Sequence, residues 1–147
     1  MRTHAGQVAF IGGHREEGEV DPVQTAKREF SEETGLDSNL IHFLGYLTAV
    51  STTKERCIIP VGFDLKLTRR EFLNTAVSNG EWDECFFVQL SDLESDECWR
   101  RASFQKDFVK RRILFRGIDR KVTLPQSSRN GLLWGATAFM VKDLFNR

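Results

Sequence analysis

Apolar residues first gather at Val8–Ile11, a short run of strand-favouring side chains that Gly12 and Gly13 bring to a sharp stop. An acidic stretch containing Gly18 follows, and its lack of periodicity predicts a loop. The period then changes. Val23, Ala26 and Phe30 recur at the spacing of one helical face, while Glu29, Glu32 and Glu33 cluster at i, i+3 and i+4 on another. Both ends of this helix are marked: Asp21 offers an N-cap, Pro22 the first helical position, Gln24 a capping-box partner and Gly35 a C-cap. The apolar face is expected to pack on a sheet, which fixes the direction of the carboxylate face.

Farther on, Ile41–Val50 reads as a strand, 51–56 as a polar loop, and Cys57–Leu67 as a second, mostly buried strand with a bulge or edge at Pro60. Trp82–Leu90 predicts another strand, with Glu81, Asp83 and Glu84 at its entrance. Phe104, Phe108, Arg111 with Arg112, and Phe115 recur near the helical period, so Ser91–Gly117 is expected to be helical in part. The last helix is placed at Gly131–Phe145, with Leu133, Ala136, Met140 and Leu144 on one stripe. Helices and strands mixed around a small sheet predict a layered α/β fold, and the length of 147 residues predicts a single domain over 1–147.

Composition changes this picture little. The 21 basic and 21 acidic residues cancel, which removes the case for a long nucleic acid or a membrane surface as partner. Any anion must be attracted locally. Cys57, Cys85 and Cys98 lack zinc-like spacing and are odd in number, so buried free thiols in a reducing compartment are expected. No signal peptide is expected, since Met1–His4 is not followed by a long enough apolar core, and the longest apolar stretch near the C-terminus, Leu132–Val141, is too short to span a bilayer. These features predict a cytoplasmic protein.

The carboxylates carry the chemistry. Three glutamates crowded on one helix repel one another, and a hard cation such as Mg²⁺ or Mn²⁺ turns that repulsion into attraction while supplying an anchor for phosphate. Glu29, Glu32 and Glu33 are the expected ligands, with Glu33 or a downstream acid orienting or deprotonating the attacking water. Arg28 is expected to point elsewhere around the helix and to pair with Glu19, tying the loop to it.

Gly13, Glu19, Arg28, Glu29, Phe30, Glu32, Glu33, Gly35 and Leu36 together resemble the Nudix box: glycine, five residues, glutamate, seven residues, then Arg-Glu, an aliphatic residue, any residue, Glu-Glu, any residue, glycine and an aliphatic residue. Phe30 replaces an aliphatic residue, and eight rather than seven residues separate Glu19 from Arg28. The insertion falls before the helix proper and leaves the metal face in register, but it allows Glu16 or Glu17 to take part in place of Glu19. The resemblance implies a Nudix-type α/β/α sandwich with a mixed sheet and a catalytic loop–helix–loop. It adds Gly13 to the metal site and Arg28, Glu32 and Glu33 to the catalytic set, with Gly12, Glu19 and Gly35 in structural roles.

His4–Gly13, Glu81–Leu90 and Leu133–Ala138 are similar to the coenzyme A pyrophosphatase-like branch of that family, with Ile11, Trp82 and Gln89 departing from its pattern. That branch implies cleavage of coenzyme A into 3′,5′-ADP and 4′-phosphopantetheine. Such a substrate needs a basic contact for its extra phosphate, for which Arg15, Arg56, Arg111 and Arg112 are candidates, and a surface for adenine, for which Trp82, Phe86 or Trp99 would serve. The strand resemblance makes Glu81 and Glu84 candidates for a further metal ligand or water-positioning acid, with Glu81 also expected to contact substrate, and His4 and His14, which flank the first strand, are candidates to touch phosphate. ADP-ribose and nucleoside-diphosphate sugars share the scissile linkage and form the alternative; a nucleoside triphosphate or a non-catalytic binding module is less favoured. Only 12 residues precede Gly13, fewer than such domains ordinarily have. A truncated or alternative start, or a homodimer that completes the sheet by segment exchange, is therefore expected.

Overall fold

The computed structural model describes residues 9–51, 56–88, 90–94, 100–105, 112–123, 130–133 and 135–145. Their elements run α1 (Pro22–Thr34), a 3-10 turn (Ser38–Leu40), β1 (Ile41–Tyr46), β2 (Val50–Ser51), β3 (Cys57–Ile58), β4 (Val61–Leu65), α2 (Arg69–Thr75), α3 (Leu90–Glu94), β5 (Arg100–Gln105), β6 (Arg112–Thr123), β7 (Asn130–Leu133) and α4 (Gly135–Phe145). The fold class is α/β. Two compact units contain them: Phe10–Ala49 with Cys57–Phe87, and the described residues of 50–56 and 88–147.

The first unit is built on α1. Asp21 Oδ1 accepts from the Gln24 N–H at 2.9 Å, and the Gln24 side chain returns to accept from the Val20 N–H at 2.8 Å, which satisfies donors that the first helical turn leaves free. At the other end Gly35 takes φ 71° and donates to the Ser31 carbonyl, a left-handed cap that suits glycine. Phe30, Ile41 and Phe72 form the core of this unit, with Leu36, Phe63, Leu65, Leu67, Leu73, Ala76, Cys85 and Phe87 packed around them. β1 and β4 pair antiparallel from Ile41 opposite Leu65, with an irregularity between Phe43 and Gly45. This small core holds α1 against β4.

Several elements differ from the sequence expectation. Ala9–Ile11 forms no strand, and Phe10 and Ile11 are exposed. The expected strand at Ile41–Val50 is interrupted after Tyr46, and Pro60, which has no amide hydrogen for a ladder, separates β3 from β4. Trp82–Val88 is not a strand, although Cys85 and Phe87 still turn inward, and Leu90 begins α3. α2 was not expected, yet Thr68 caps its start, its Oγ1 accepting from the Glu71 N–H at 3.1 Å and donating to Glu71 Oε1 at 3.1 Å. Cys57 is exposed and Cys85 half-buried, so of these two only Cys85 approaches the expected buried thiol; Cys98 lies outside the described residues.

In the second unit, β5, β6 and β7 form an antiparallel sheet, with Arg100 opposite Asp119 and Arg120 opposite Leu133. Phe104 and Phe115 therefore lie on strands rather than on the expected helix. The four-residue spacing from Phe104 to Phe108 fits two strand repeats as well as one helical turn, and aromatic residues favour the sheet. Phe108 and Arg111 lie outside the described residues. The final helix begins at Gly135, after a strand that takes Leu133, and it buries Ala138, Met140 and Val141 while Leu144 is exposed. Its inner face is thus rotated from the expected stripe. Among the described residues, no helix is long and apolar enough to cross a membrane.

Candidate active site

The loop before α1 folds around one carboxylate. Glu19 receives the Thr25 hydroxyl at 2.6 Å, the Glu16 N–H at 2.9 Å and Arg28 Nε at 2.6 Å, while its own carbonyl accepts from Arg15 Nε at 2.8 Å. Thr25 and Arg28 stand three residues apart on α1, which puts both on the face that meets the loop. The Thr25 hydroxyl, then the Glu16 amide and the Arg28 guanidinium, hold the Glu19 carboxyl down to about 2. Gly18 makes the turn that permits this, with φ 89°. The extra residue between Glu19 and Arg28 is absorbed in the loop, and Glu16 joins the same guanidinium at 3.5 Å.

Arg28 is a hub rather than a side chain directed away from the ligands. Its Nη1 lies 3.0 Å from Glu29 Oε1 and 3.0 Å from Glu32 Oε2, and Nη2 donates to the His14 carbonyl at 2.8 Å. Four carboxylates thus surround one guanidinium, and Glu19 foremost, then Glu32 and Glu29, raise its pKa further. The arrangement offsets the mutual repulsion of Glu29 and Glu32.

The glycine pair meets the other side of the carboxylate face. A Cβ on Gly13 would overlap the Glu29 carboxylate, so the absence of a side chain there is what lets that carboxylate lie against the backbone. Gly12 donates its N–H to Glu33 Oε1 at 3.3 Å. Neither glycine has positive φ, so close approach is what Gly13 supplies here. Glu33 is itself buried, and burial, followed by the nearby charges of Glu81 and Glu29, pushes its carboxyl up to about 7 against the opposing effect of the Gly12 N–H. The Trp82 indole N–H donates to the Glu33 carbonyl at 2.7 Å.

The charges of Glu29 and Glu81 both act on Glu33, and carboxylates are hard oxygen donors of the kind that suits Mg²⁺ or Mn²⁺. Glu32 is half-exposed and held on Arg28. Among the described residues no three such side chains converge closely enough to enclose an ion, and the Arg28 guanidinium bridges Glu29 and Glu32. The residues fit a divalent cation in kind, and Arg28 competes for two of them.

The family model described as the NUDIX domain matches residues 1–111. The chain belongs to the Nudix family. Nudix hydrolase 15, mitochondrial, of Arabidopsis thaliana is 28% identical over 138 residues, covering 94% of this chain and 46% of that protein. The uncharacterized Nudix hydrolase NudL of Yersinia pestis (strain Pestoides F) is 34% identical over 61 residues, covering 42% of this chain and 31% of that protein, and the NudL of Yersinia pseudotuberculosis serotype O:1b (strain IP 31758) matches equally. The chain therefore spans less than half the length of these curated relatives.

Within the Nudix box, then, Gly12, Gly13, Glu19, Arg28, Glu29, Glu32 and Glu33 are brought together, and Gly35 closes the helix behind them. Glu81 is close enough to act on the Glu33 charge. Arg15 is exposed and engaged with the loop backbone, and Arg56 is exposed in the other compact unit. His14 is exposed and contributes its carbonyl rather than its ring. His4, Gln89, Trp99, Arg111 and Trp134 lie outside the described residues. Two contributors were not anticipated. Thr25 was legible from its three-residue spacing to Arg28, whereas the bond from Trp82 to a backbone carbonyl 49 positions away has no sequence signal.

Proposed function

We propose that this chain is a metal-dependent Nudix pyrophosphohydrolase that cleaves the diphosphate linkage of a nucleoside diphosphate joined to another moiety, with coenzyme A or a derivative as the substrate. The observation that carries the reading is the buried Glu33 carboxyl beside Glu29 and Glu81, with its pKa pushed up to about 7. Glu29, Glu32, Glu33 and the Gly13 backbone would hold Mg²⁺ or Mn²⁺, and such an ion withdraws charge from diphosphate oxygens and acidifies water.

The side chains do the rest. Glu33 or a downstream acid accepts a proton from the water that attacks phosphorus; a new P–O bond forms, the P–O bond to the bridging oxygen breaks, and its electrons leave with the departing phosphate. Arg28 fixes Glu29 and Glu32 on the same helix face and links them through Glu19 to the glycine loop. Glu32 and Arg28 thus support the reaction through placement and charge. Retention of all three box glutamates argues against a purely binding role.

ADP-ribose or a nucleoside-diphosphate sugar is the second reading, favoured by the Ile11 and Gln89 departures from the coenzyme A-like pattern. We read Arg15, Arg56 and Glu81 as substrate contacts, and the protein as a cytoplasmic homodimer. Turnover of coenzyme A, ADP-ribose, a nucleoside-diphosphate sugar and a deoxynucleoside triphosphate, each with Mg²⁺ and with Mn²⁺, tests the assignment. Preferred release of 4′-phosphopantetheine and 3′,5′-ADP is expected; preference for ADP-ribose selects the second reading, and inertness toward all four refutes both. Sedimentation as a monomer alone at micromolar concentration would refute the dimer.

A further inference from the structure

The segment after α2 reaches back to the C-terminal turn of α1, where helical carbonyls lack partners within the helix. Two bonds join them: the Val77 N–H donates to the Thr34 carbonyl at 2.8 Å, and Trp82 Nε1–H donates to the Glu33 carbonyl at 2.7 Å. Between these anchors the Ser78 hydroxyl donates to the Trp82 carbonyl at 2.7 Å and accepts the Gly80 N–H at 3.1 Å, closing a tight loop whose Gly80 has φ 94°. Glu81 sits in this loop, immediately before Trp82, and its charge reaches the Glu33 carboxyl.

We propose that Trp82 is a positioning residue: its indole N–H, bonded to the Glu33 carbonyl, fixes the turn of α1 that bears Glu33 against the loop that carries Glu81. The inference rests on the reading of Glu33 as a metal ligand. An indole serves this role because its one donor is rigidly placed at the edge of a large ring, so that packing of the ring sets the position of the bond. Two such anchors, one from backbone and one from side chain, define the loop relative to the helix end. Without the second, the loop keeps its Ser78 and Asn79 closures but loses its side-chain tie to the turn that bears Glu33.

The test is Mn²⁺ binding to the full chain, followed by paramagnetic resonance, for the parent, Trp82→Phe and Glu33→Gln. Trp82→Phe keeps most of the ring and removes the donor; about threefold to tenfold weaker Mn²⁺ binding is expected, the range for one net hydrogen bond. In addition, Trp82→Phe and Glu81→Gln should be non-additive in a double-mutant cycle, as expected for residues acting through one another. A purely structural role would lower the unfolding midpoint of Trp82→Phe and leave Mn²⁺ affinity and the cycle unaffected, which would overturn the proposal. Loss of Mn²⁺ binding in Glu33→Gln reports separately on the ligand reading; a parent protein that binds no Mn²⁺ overturns both. Should Trp82→Phe fail to fold, the parent decides the matter: its Trp82 indole N–H resonance should shift during a Mg²⁺ titration with the same midpoint as the Glu33 amide, and an indole resonance indifferent to Mg²⁺ would reject the role.

Discussion

Replacing Gly13 with alanine separates the stability of the fold from the assembly of the site. The new methyl group would lie inside the van der Waals radii of Glu29 Oε1 and Cδ and 3.0 Å from Oε2, where ordinary contact begins at 3.4 Å. Something has to yield. Gly13 does not occupy positive φ, so alanine brings no left-handed strain, and the atoms it meets are the far end of a flexible side chain. Glu29 therefore swings away, giving up its bond to Arg28 while Arg28 keeps Glu19 and Glu32, at a folding cost of about 1 kcal/mol, the scale of one net hydrogen bond. Its carboxylate must withdraw by roughly 1 Å, a displacement that costs on the order of 10²-fold in rate when it falls on a reacting group. That loss corresponds to about 2.7 kcal/mol of transition-state stabilisation. Urea unfolding of Gly13→Ala beside steady-state turnover of coenzyme A with Mg²⁺ reads both quantities. An unfolding midpoint close to the parent's with a large loss of kcat is expected. Undiminished kcat, or a loss explained by unfolding alone, would refute the close-approach argument.

Phe30→Ala removes a side chain that is 6% exposed at the centre of the Phe30–Ile41–Phe72 cluster and should cost about 3–5 kcal/mol, measured by denaturant unfolding; a cost below 1 kcal/mol would show that α1 is not held by this core. In the metal-free protein the Glu33 carboxyl stands at about 7, above its ordinary 4.5, so its contribution to stability is fully present below about 4.5 and is lost as pH rises through 7. Glu19 acts in the opposite sense: its carboxyl, held down to about 2, contributes stability above 4.5 that is lost as pH falls toward 2. Unfolding free energies across pH 2–8 for the parent, Glu33→Gln and a Thr25→Ala variant, which removes the leading cause of the Glu19 shift, should separate these two limbs. Mn²⁺ affinity should rise with pH through about 7 as the Glu33 proton is displaced, and a flat profile would contradict that linkage.

What the sequence disclosed followed from the range of the interactions. α1 was legible to the residue because Asp21, Pro22, Gln24 and Gly35 act on their own neighbours. The glutamate register and the Glu19–Arg28 pair were accessible for the same reason, both lying within one loop and helix. The place of Arg28 was not legible because its long side chain reaches beyond its own position on the helix and spans the Glu29 and Glu32 carboxylates. β5 and β6 were hidden by a four-residue aromatic spacing common to helix and strand, and the Trp82–Glu33 bond by its sequence separation and its backbone acceptor.

The most direct measurement is turnover of coenzyme A by Glu33→Gln beside the parent, in Mg²⁺ and at matched folded fractions. The substitution keeps the volume of a buried side chain and removes the carboxylate assigned to metal and proton. A loss of at least about 10²-fold in kcat with an undiminished unfolding midpoint is predicted, the scale of a positioned general base. Activity within about twofold of the parent would contradict the assignment of Glu33 and, with it, the proposed site.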